Sequence, residues 1–213
     1  MFKNRKEAGR LLAEALRQYR QQKNALVLGI PRGGVVVAWE VAQALELPVD
    51  VIVIKKIGFP GQEEFAVGAV GLDDFIINED VMRRHDIPER YIHSQIDLKQ
   101  REARRRHTLL RGDKPPVGLR EKTVLLVDDG LATGTTMAMA VRMVARQNPR
   151  EVVVAIPVAP PDVVSNMKGL ADSVVCLRQP PDFRAVGQFF GDFREVTDEE
   201  VQILLRSTQS AQR

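Results

Sequence analysis

Ala8, Leu11, Leu12, Ala15, Leu16 and Tyr19 recur at helical spacing, so residues 4–22 read as an amphipathic helix. ALVLGI (25–30) follows, short and apolar, and it stops at Pro31 and two glycines, which predicts a buried strand. Residues 34–45 read as a second helix. VDVIVIKKI (49–57) is β-branched and nearly all apolar, which suits a strand covered on both faces. Residues 65–70 and 75–78 read as two short strands around the turn signal GLDD.

The pattern then turns polar. Residues 79–111 are helical and highly charged, with Pro88 placed to open the longer helix, and GDKPPVG (112–118) reads as a connecting loop. TVLLVDDGLATGTT predicts an apolar strand, an acidic pair, a Gly/Thr-rich turn and a helix through about residue 148. EVVVAIPV (151–158) and SVVCL (173–177) read as further buried strands, with a helix over 160–170 between them. Residues 180–206 read as loop followed by helix, with Thr197 and Glu200 spaced as a capping box. Apolar strands alternating with helices predict an α/β fold around a parallel sheet. Neither an internal repeat nor a sharp change of composition divides the chain. It reads as a single domain over 1–213, with a core at about 20–78 and 120–178, a helical insertion at about 79–118 and a C-terminal segment at about 179–207.

Composition narrows the class. The 213 residues hold 44% hydrophobic and 28% charged side chains, ordinary for a globular domain, and only the tail STQSAQR reads as disordered. One cysteine excludes a disulfide framework and a thiolate zinc site. Lys and Arg number 31 against 28 Asp and Glu, and a net charge of +3 is a weak footprint for nucleic acid over this length. MFKNRKEAGR has no apolar segment behind it, and no apolar run approaches the roughly 20 residues of a membrane helix. The expectation is a cytoplasmic protein with no membrane contact.

The chemistry concentrates in Val124–Thr136. Four apolar residues lead to Asp128 and Asp129 at the carboxyl end of a strand, where open α/β sheets bind ligands. Ala132, Thr133, Gly134, Thr135 and Thr136 then turn into a helix, offering free backbone N–H groups, hydroxyls and the positive end of a helix dipole. That turn is a phosphate cradle. Adjacent carboxylates repel phosphate but suit sugar hydroxyls, or water around a metal. Cradle and acids together describe a sugar phosphate, although an Asp-Asp cap with Thr/Gly turn chemistry would share the pattern.

This segment resembles the ribose-5-phosphate motif of the type I phosphoribosyltransferases. The resemblance implies that fold: a mainly parallel twisted sheet flanked by helices, with a small C-terminal hood. It also implies the substrate 5-phosphoribosyl 1-diphosphate (PRPP), with its ribose on Asp128 and Asp129 and its 5-phosphate on Ala132 to Thr136. Gly29-Ile-Pro-Arg32-Gly33-Gly34 lacks the Lys-Ser/Thr of a Walker A loop. It resembles the family's diphosphate loop, in which the N–H groups of Arg32, Gly33 and Gly34 and the Arg32 guanidinium hold diphosphate. Lys55 and Lys56 leave an apolar strand at the place of the family's basic diphosphate contact. Strand alternation sends only one of them to a given face, and Lys56 lies nearer the strand end. A mobile loop follows in the family; Gly58, Pro60, Gly61 and Glu63-Glu64 would form it here, short for a lid. PRGGVVVA, KIGFPGQEEFAVGAV, the Asp-Asp motif and PDFRAVGQFF in this order resemble a poorly characterised branch of predicted phosphoribosyltransferases.

The resemblance implies a PRPP-dependent pentosyltransferase with Asp128, Asp129, Arg32 and Lys56 as its reacting-site residues. Mg²⁺ would be carried mainly by PRPP rather than held by a protein metal site. The partners would be PRPP and a small-molecule acceptor, with self-association allowed. Ala132 replaces the acid of the hypoxanthine and guanine enzymes, which argues against a 6-oxopurine acceptor. The alternative is a PRPP- or nucleotide-sensing regulator without turnover, holding nucleic acid through the basic helix 98–111. That helix lacks interleaved aromatics, and its bland reading is a solvated face. His85, His93 and His107 lack metal-ligand spacing, and Cys176 and Trp39 read as packing residues. PPDFRAVGQFF (180–190) carries three of the eight phenylalanines and reads equally as satellite core or as a hood over a planar base, with Asp182 and Arg184 as its polar candidates.

Overall fold

A computed structural model describes residues 1–210, apart from the side chains of residues 64 and 208–210. Five parallel strands form the central sheet in the order β2-β1-β6-β7-β8: β1 (Ala25–Gly29), β2 (Val49–Val51), β6 (Thr123–Val127), β7 (Glu151–Val158) and β8 (Ser173–Arg178). Strand alternation divides the central β6 between two cores. Leu125 and Val127 face α1 (Arg5–Ala15) and α2 (Gly33–Leu45), where they meet Leu12, Leu16, Val37 and Val41. Val124 and Leu126 face α5 (Thr135–Ala145) and α6 (Pro161–Lys168), where they meet Met137, Val141, Val163 and Val164. Helices on both faces explain why these strands are apolar at every position.

The stretch 49–57 differs from its expected single strand. β2 pairs with β1 only as far as Gly29 opposite Val51, and Ile52 adds one last bond to the Gly29 carbonyl. β1 then ends, since Pro31 has no N–H to offer a neighbour. The chain leaves the sheet and restarts as β3 (Lys55–Phe59), antiparallel to β4 (Gln62–Val70), which pairs with β5 (Phe75–Ile77). This second sheet lies outside the parallel one. Its apolar residues Ile57, Val67 and Val70 pack on Ile92 and Ile96 of α4 (Glu89–Arg111), which follows the short α3 (Glu79–Arg84). The segment 58–64, expected as a mobile loop, is the tip of the β3–β4 hairpin.

Two other boundaries shift. The first helix stops at Ala15, and a single 3-10 turn over Arg17–Tyr19 brings the Tyr19 hydroxyl to Glu151, donating at 2.9 Å. At the other end α7 (Asp198–Ser210) carries helix into the tail read as disordered; residues 211–213 lie outside the described ones. The capping box forms: Thr197 N–H donates to Glu200 at 3.0 Å and Glu200 N–H to the Thr197 hydroxyl at 3.2 Å. No described helix is long and apolar enough to cross a membrane.

Candidate active site

β1 and β6 are neighbours in register, with Gly29 opposite Val127, so the loops leaving them emerge side by side at the carboxyl edge of the sheet. The chain winds outward from this point in both directions, towards β2 and towards β7. That is the switch point at which open α/β sheets bind ligands. The two motifs picked from sequence are therefore in contact. A Cβ added at Gly33 would lie 1.9 Å from Asp129 Oδ2, and one at Gly34 would lie 2.7 Å from Asp128 Oδ1. Only glycine lets the loop backbone come this close to the acids. The Pro31–Arg32 peptide is cis, and Gly33 begins α2, so the first amides of that helix have no intrahelical partner.

The acid pair carries more charge than its surroundings balance. Asp128 Oδ1 accepts from the Asp129 N–H at 2.8 Å. Burial and, next to it, the Asp129 charge push the Asp128 carboxyl well above the usual carboxylate range. Burial raises Asp129 as well, against the opposing pull of Arg5. Arg5 Nε donates to Asp129 Oδ2 at 2.7 Å. The motifs in the sequence do not include Arg5, which reaches the site from the first turn of α1. One signal was available: Arg5, Ala8 and Leu12 share a helix face, so a cation sits on the apolar stripe.

The expected turn into a helix forms. Gly134 caps α5 with φ +71°, a conformation that disfavours a side chain. The Thr133 and Thr135 hydroxyls are 3.1 Å apart. Thr133 is exposed, Thr135 and Thr136 are half-buried, and Ala132 is exposed. The turn into α5 thus follows the acids directly and leaves the Thr133 side chain exposed.

The remaining predicted residues are placed less uniformly. Arg32 is half-buried at the end of the loop, where its guanidinium is paired with Glu195. Glu195 belongs to the C-terminal segment and lies outside every sequence motif. Lys55 lies 4.0 Å from Glu102, beside Arg106 and Asp198, while Lys56 lines a separate hollow with Tyr91, Gln95 and Lys99 between the hairpin and α4. Alternation does separate them, and it puts Lys55 on the side of α7, which follows Glu195.

The aromatic cluster packs as a satellite core. Phe190 is buried against Phe2, with ring centroids 5.3 Å apart, and Phe183 and Phe189 stack half-buried at 5.2 Å. Gln188 ties the turn together, accepting from the Arg184 and Ala185 N–H groups at 2.9 and 3.0 Å, while Asp182 and Arg184 are exposed. Val186 packs on Gly130, directly after the acid pair, and so joins this segment to the site.

The basic helix has a structural use. Lys99 pairs with Glu102, Arg104 with Asp73, Arg106 with Asp198 and Arg111 with the buried Asp50. The last three pairs brace α4 against the β4–β5 turn, α7 and β2, while Lys99–Glu102 lies within the helix. Among the described residues no three His, Cys, Asp or Glu side chains converge on a possible metal site.

Residues 2–189 match the phosphoribosyl transferase domain family. Relatives from two strains of Mycobacterium tuberculosis, provisionally named phosphoribosyl transferases, are 40% identical over 207 residues. The match covers 96% of this chain and 46% of theirs, so the chain spans about half the length of these curated relatives. The crystal structure of the protein TT1426 from Thermus thermophilus superposes with a TM-score of 0.87 at 42% identity, covering 97% of this chain and 98% of that one. The fold, the glycine loop seated on the acid pair and the family match over most of the sequence agree: the chain belongs to the phosphoribosyl transferase family.

Proposed function

We propose that this chain transfers ribose 5-phosphate from PRPP to a nitrogenous acceptor and releases diphosphate. The observation that carries the reading is the contact of Gly33 and Gly34 with Asp129 and Asp128, which sets a loop of free amides and an arginine beside hydroxyl-binding acids and a phosphate cradle. In this reading the 5-phosphate sits on Ala132 to Thr136, the ribose hydroxyls meet the acid pair and the diphosphate meets Arg32 and the Gly33-Gly34 amides. The acceptor nitrogen forms a bond to the anomeric carbon as the bond to the diphosphate oxygen breaks, and the electron pair leaves on diphosphate. Positive charge develops on the ribose ring, as in glycoside cleavage. The chain contributes position and charge: the acids favour the cationic ring, and Arg32 with the loop amides holds the leaving group. Of the two lysines, the placement of Lys55 towards α7 favours it over Lys56 as the further cation.

Mg²⁺ fits this donor set as an ion brought in on the diphosphate. Asp129 already pairs with Arg5, which leaves Asp128 as the carboxylate facing an ion carried on the substrate. The ion would neutralise diphosphate charge, and Asp128 would reach it through water.

The test is diphosphate release from PRPP and Mg²⁺ across a panel of purine, pyrimidine and other nitrogenous acceptors. Release with one acceptor class is the expected result, with 6-oxopurines poor because Ala132 offers no acid. PRPP binding without release for any acceptor would move the chain to the sensing reading, and the absence of both would overturn the proposal.

A further inference from the structure

Arg5 is 9% exposed, yet it carries a full charge some distance along the chain from either motif. Three contacts fix it. Nε donates to Asp129 Oδ2 at 2.7 Å, Nη1 donates to the Arg194 carbonyl at 2.8 Å, and the guanidinium carbon lies 3.8 Å from the centre of the Phe193 ring. The same Asp129 Oδ2 abuts Gly33, where a Cβ would meet both Oδ2 and Arg5 Nε. One carboxylate of the pair is thereby gripped between helix α1 and the diphosphate loop, and the grip is closed from above by the segment that also sends Glu195 to Arg32. Burying a cation is costly unless it is paired and hydrogen-bonded, and Arg5 meets that condition only through Asp129 and the C-terminal segment.

We propose that Arg5 is a positioning residue of the PRPP site: it holds the Asp129 carboxylate in one orientation, and it couples that orientation to the C-terminal segment through Phe193 and Arg194. The inference rests on the transferase reading. The charged groups facing Asp129 are Asp128 from its own loop and Arg5 from α1, while the adjoining α2 presents Gly33 backbone and turns Arg32 to Glu195. Without Arg5, the burial that raises the Asp129 carboxyl would lose its largest opposing contact.

The experiment is calorimetric titration of the full chain with PRPP and Mg²⁺ from acid to neutral pH, for the wild type, Arg5→Met, Arg5→Lys, Asp129→Asn and Arg5→Met/Asp129→Asn. Loss of one charge-assisted hydrogen bond predicts about ten- to hundredfold weaker binding in Arg5→Met at neutral pH. It also predicts that affinity fails at a higher pH than in the wild type as the solution is acidified, with partial recovery in Arg5→Lys. On the Asp129→Asn background the same change should add little, since the two residues act as a unit. Should Arg5→Met fail to fold, Phe193→Leu removes the ring under the guanidinium and predicts the same pH shift at smaller size. A purely structural Arg5 would weaken binding equally at all pH values and additively with Asp129→Asn, which would overturn the proposal. Wild-type affinity and pH profile in both Arg5→Met and Phe193→Leu would overturn it too, with PRPP binding intact. No PRPP binding by the wild type would instead bring down the transferase reading on which it stands.

Discussion

The acid pair and the basic helix are charge clusters of opposite sign that the fold treats in opposite ways. On α4, Lys99, Arg104, Arg106 and Arg111 each meet a carboxylate of this chain. At the ends of β1 and β6, two adjacent and largely enclosed carboxylates share one arginine, and both are driven towards the protonated form. A balanced cluster is a brace. An unbalanced one costs stability and is characteristic of a site whose remaining partner is a ligand. Charge density along the sequence ranks the two regions wrongly, because the basic helix is the more conspicuous and the acid pair the more consequential.

The largest effect should come from removing the imbalance. Asp128→Asn/Asp129→Asn is expected to weaken PRPP binding by at least about a hundredfold, read by calorimetry, since two charge-assisted contacts are lost. The same variant should be more stable than the wild type at neutral pH. Raised carboxyls mean that the folded state holds more protons than the unfolded one between the ordinary aspartate range and the raised one, so wild-type stability falls as pH climbs through that window. The double Asn variant should lack this slope, and its Tm at neutral pH should be higher by about 2–4 °C for each kcal/mol relieved. A lower Tm with unchanged PRPP binding would place the acids among the braces.

Breaking the brace should give the reverse. Arg111→Met leaves Asp50 buried and uncompensated, with a cost of about 3–5 kcal/mol in urea unfolding. PRPP affinity in the fraction that remains folded should not change. Loss of affinity without loss of stability would show that α4 serves the site directly.

How far each region was legible follows from how local its interactions are. The strand, the acids and the Gly/Thr turn lie within Val124–Thr136, so their pattern is local, whereas the glycine loop meets them through the β1–β6 pairing and was joined to them in sequence by the family resemblance. Arg5 and Glu195 reach the site from 124 and 163 residues away from their partners, and nothing in their immediate sequence marks a cation or an acid as inward-facing except the apolar stripe that Arg5 interrupts. The stretch 49–57 departs from its expected strand for a related reason. Its apolar pattern suits a strand throughout, but whether residues 52–54 have a pairing neighbour depends on where β1 stops. The partners of the α4 charges lie at Asp50, Asp73 and Asp198, outside that helix, so its bracing role was equally hidden.

A smaller effect sharpens the comparison within the site. Glu195 pairs with Arg32, although its own side chain is 74% exposed. An exposed pair contributes about 0.2–1 kcal/mol, so Glu195→Gln should tighten PRPP binding by about 1.4- to fivefold. Weaker binding would mean that Glu195 orients Arg32 rather than competing for it. The smallest effect belongs to the exposed Arg101 and Arg105, which project from α4 without any of the ion pairs described above. Replacing both by Ala should shift stability by no more than about 0.5 kcal/mol each. A steep, salt-dependent loss of nucleic-acid binding in that variant would return the basic helix to a functional role.

The central claim is that the loop and the acid pair together form a PRPP site. Its most direct test is titration of the wild-type chain with PRPP by calorimetry, with and without Mg²⁺, at low and moderate salt. Saturable binding at one site that depends on Mg²⁺ is the expected result. No heat at millimolar PRPP under any of these conditions would contradict it.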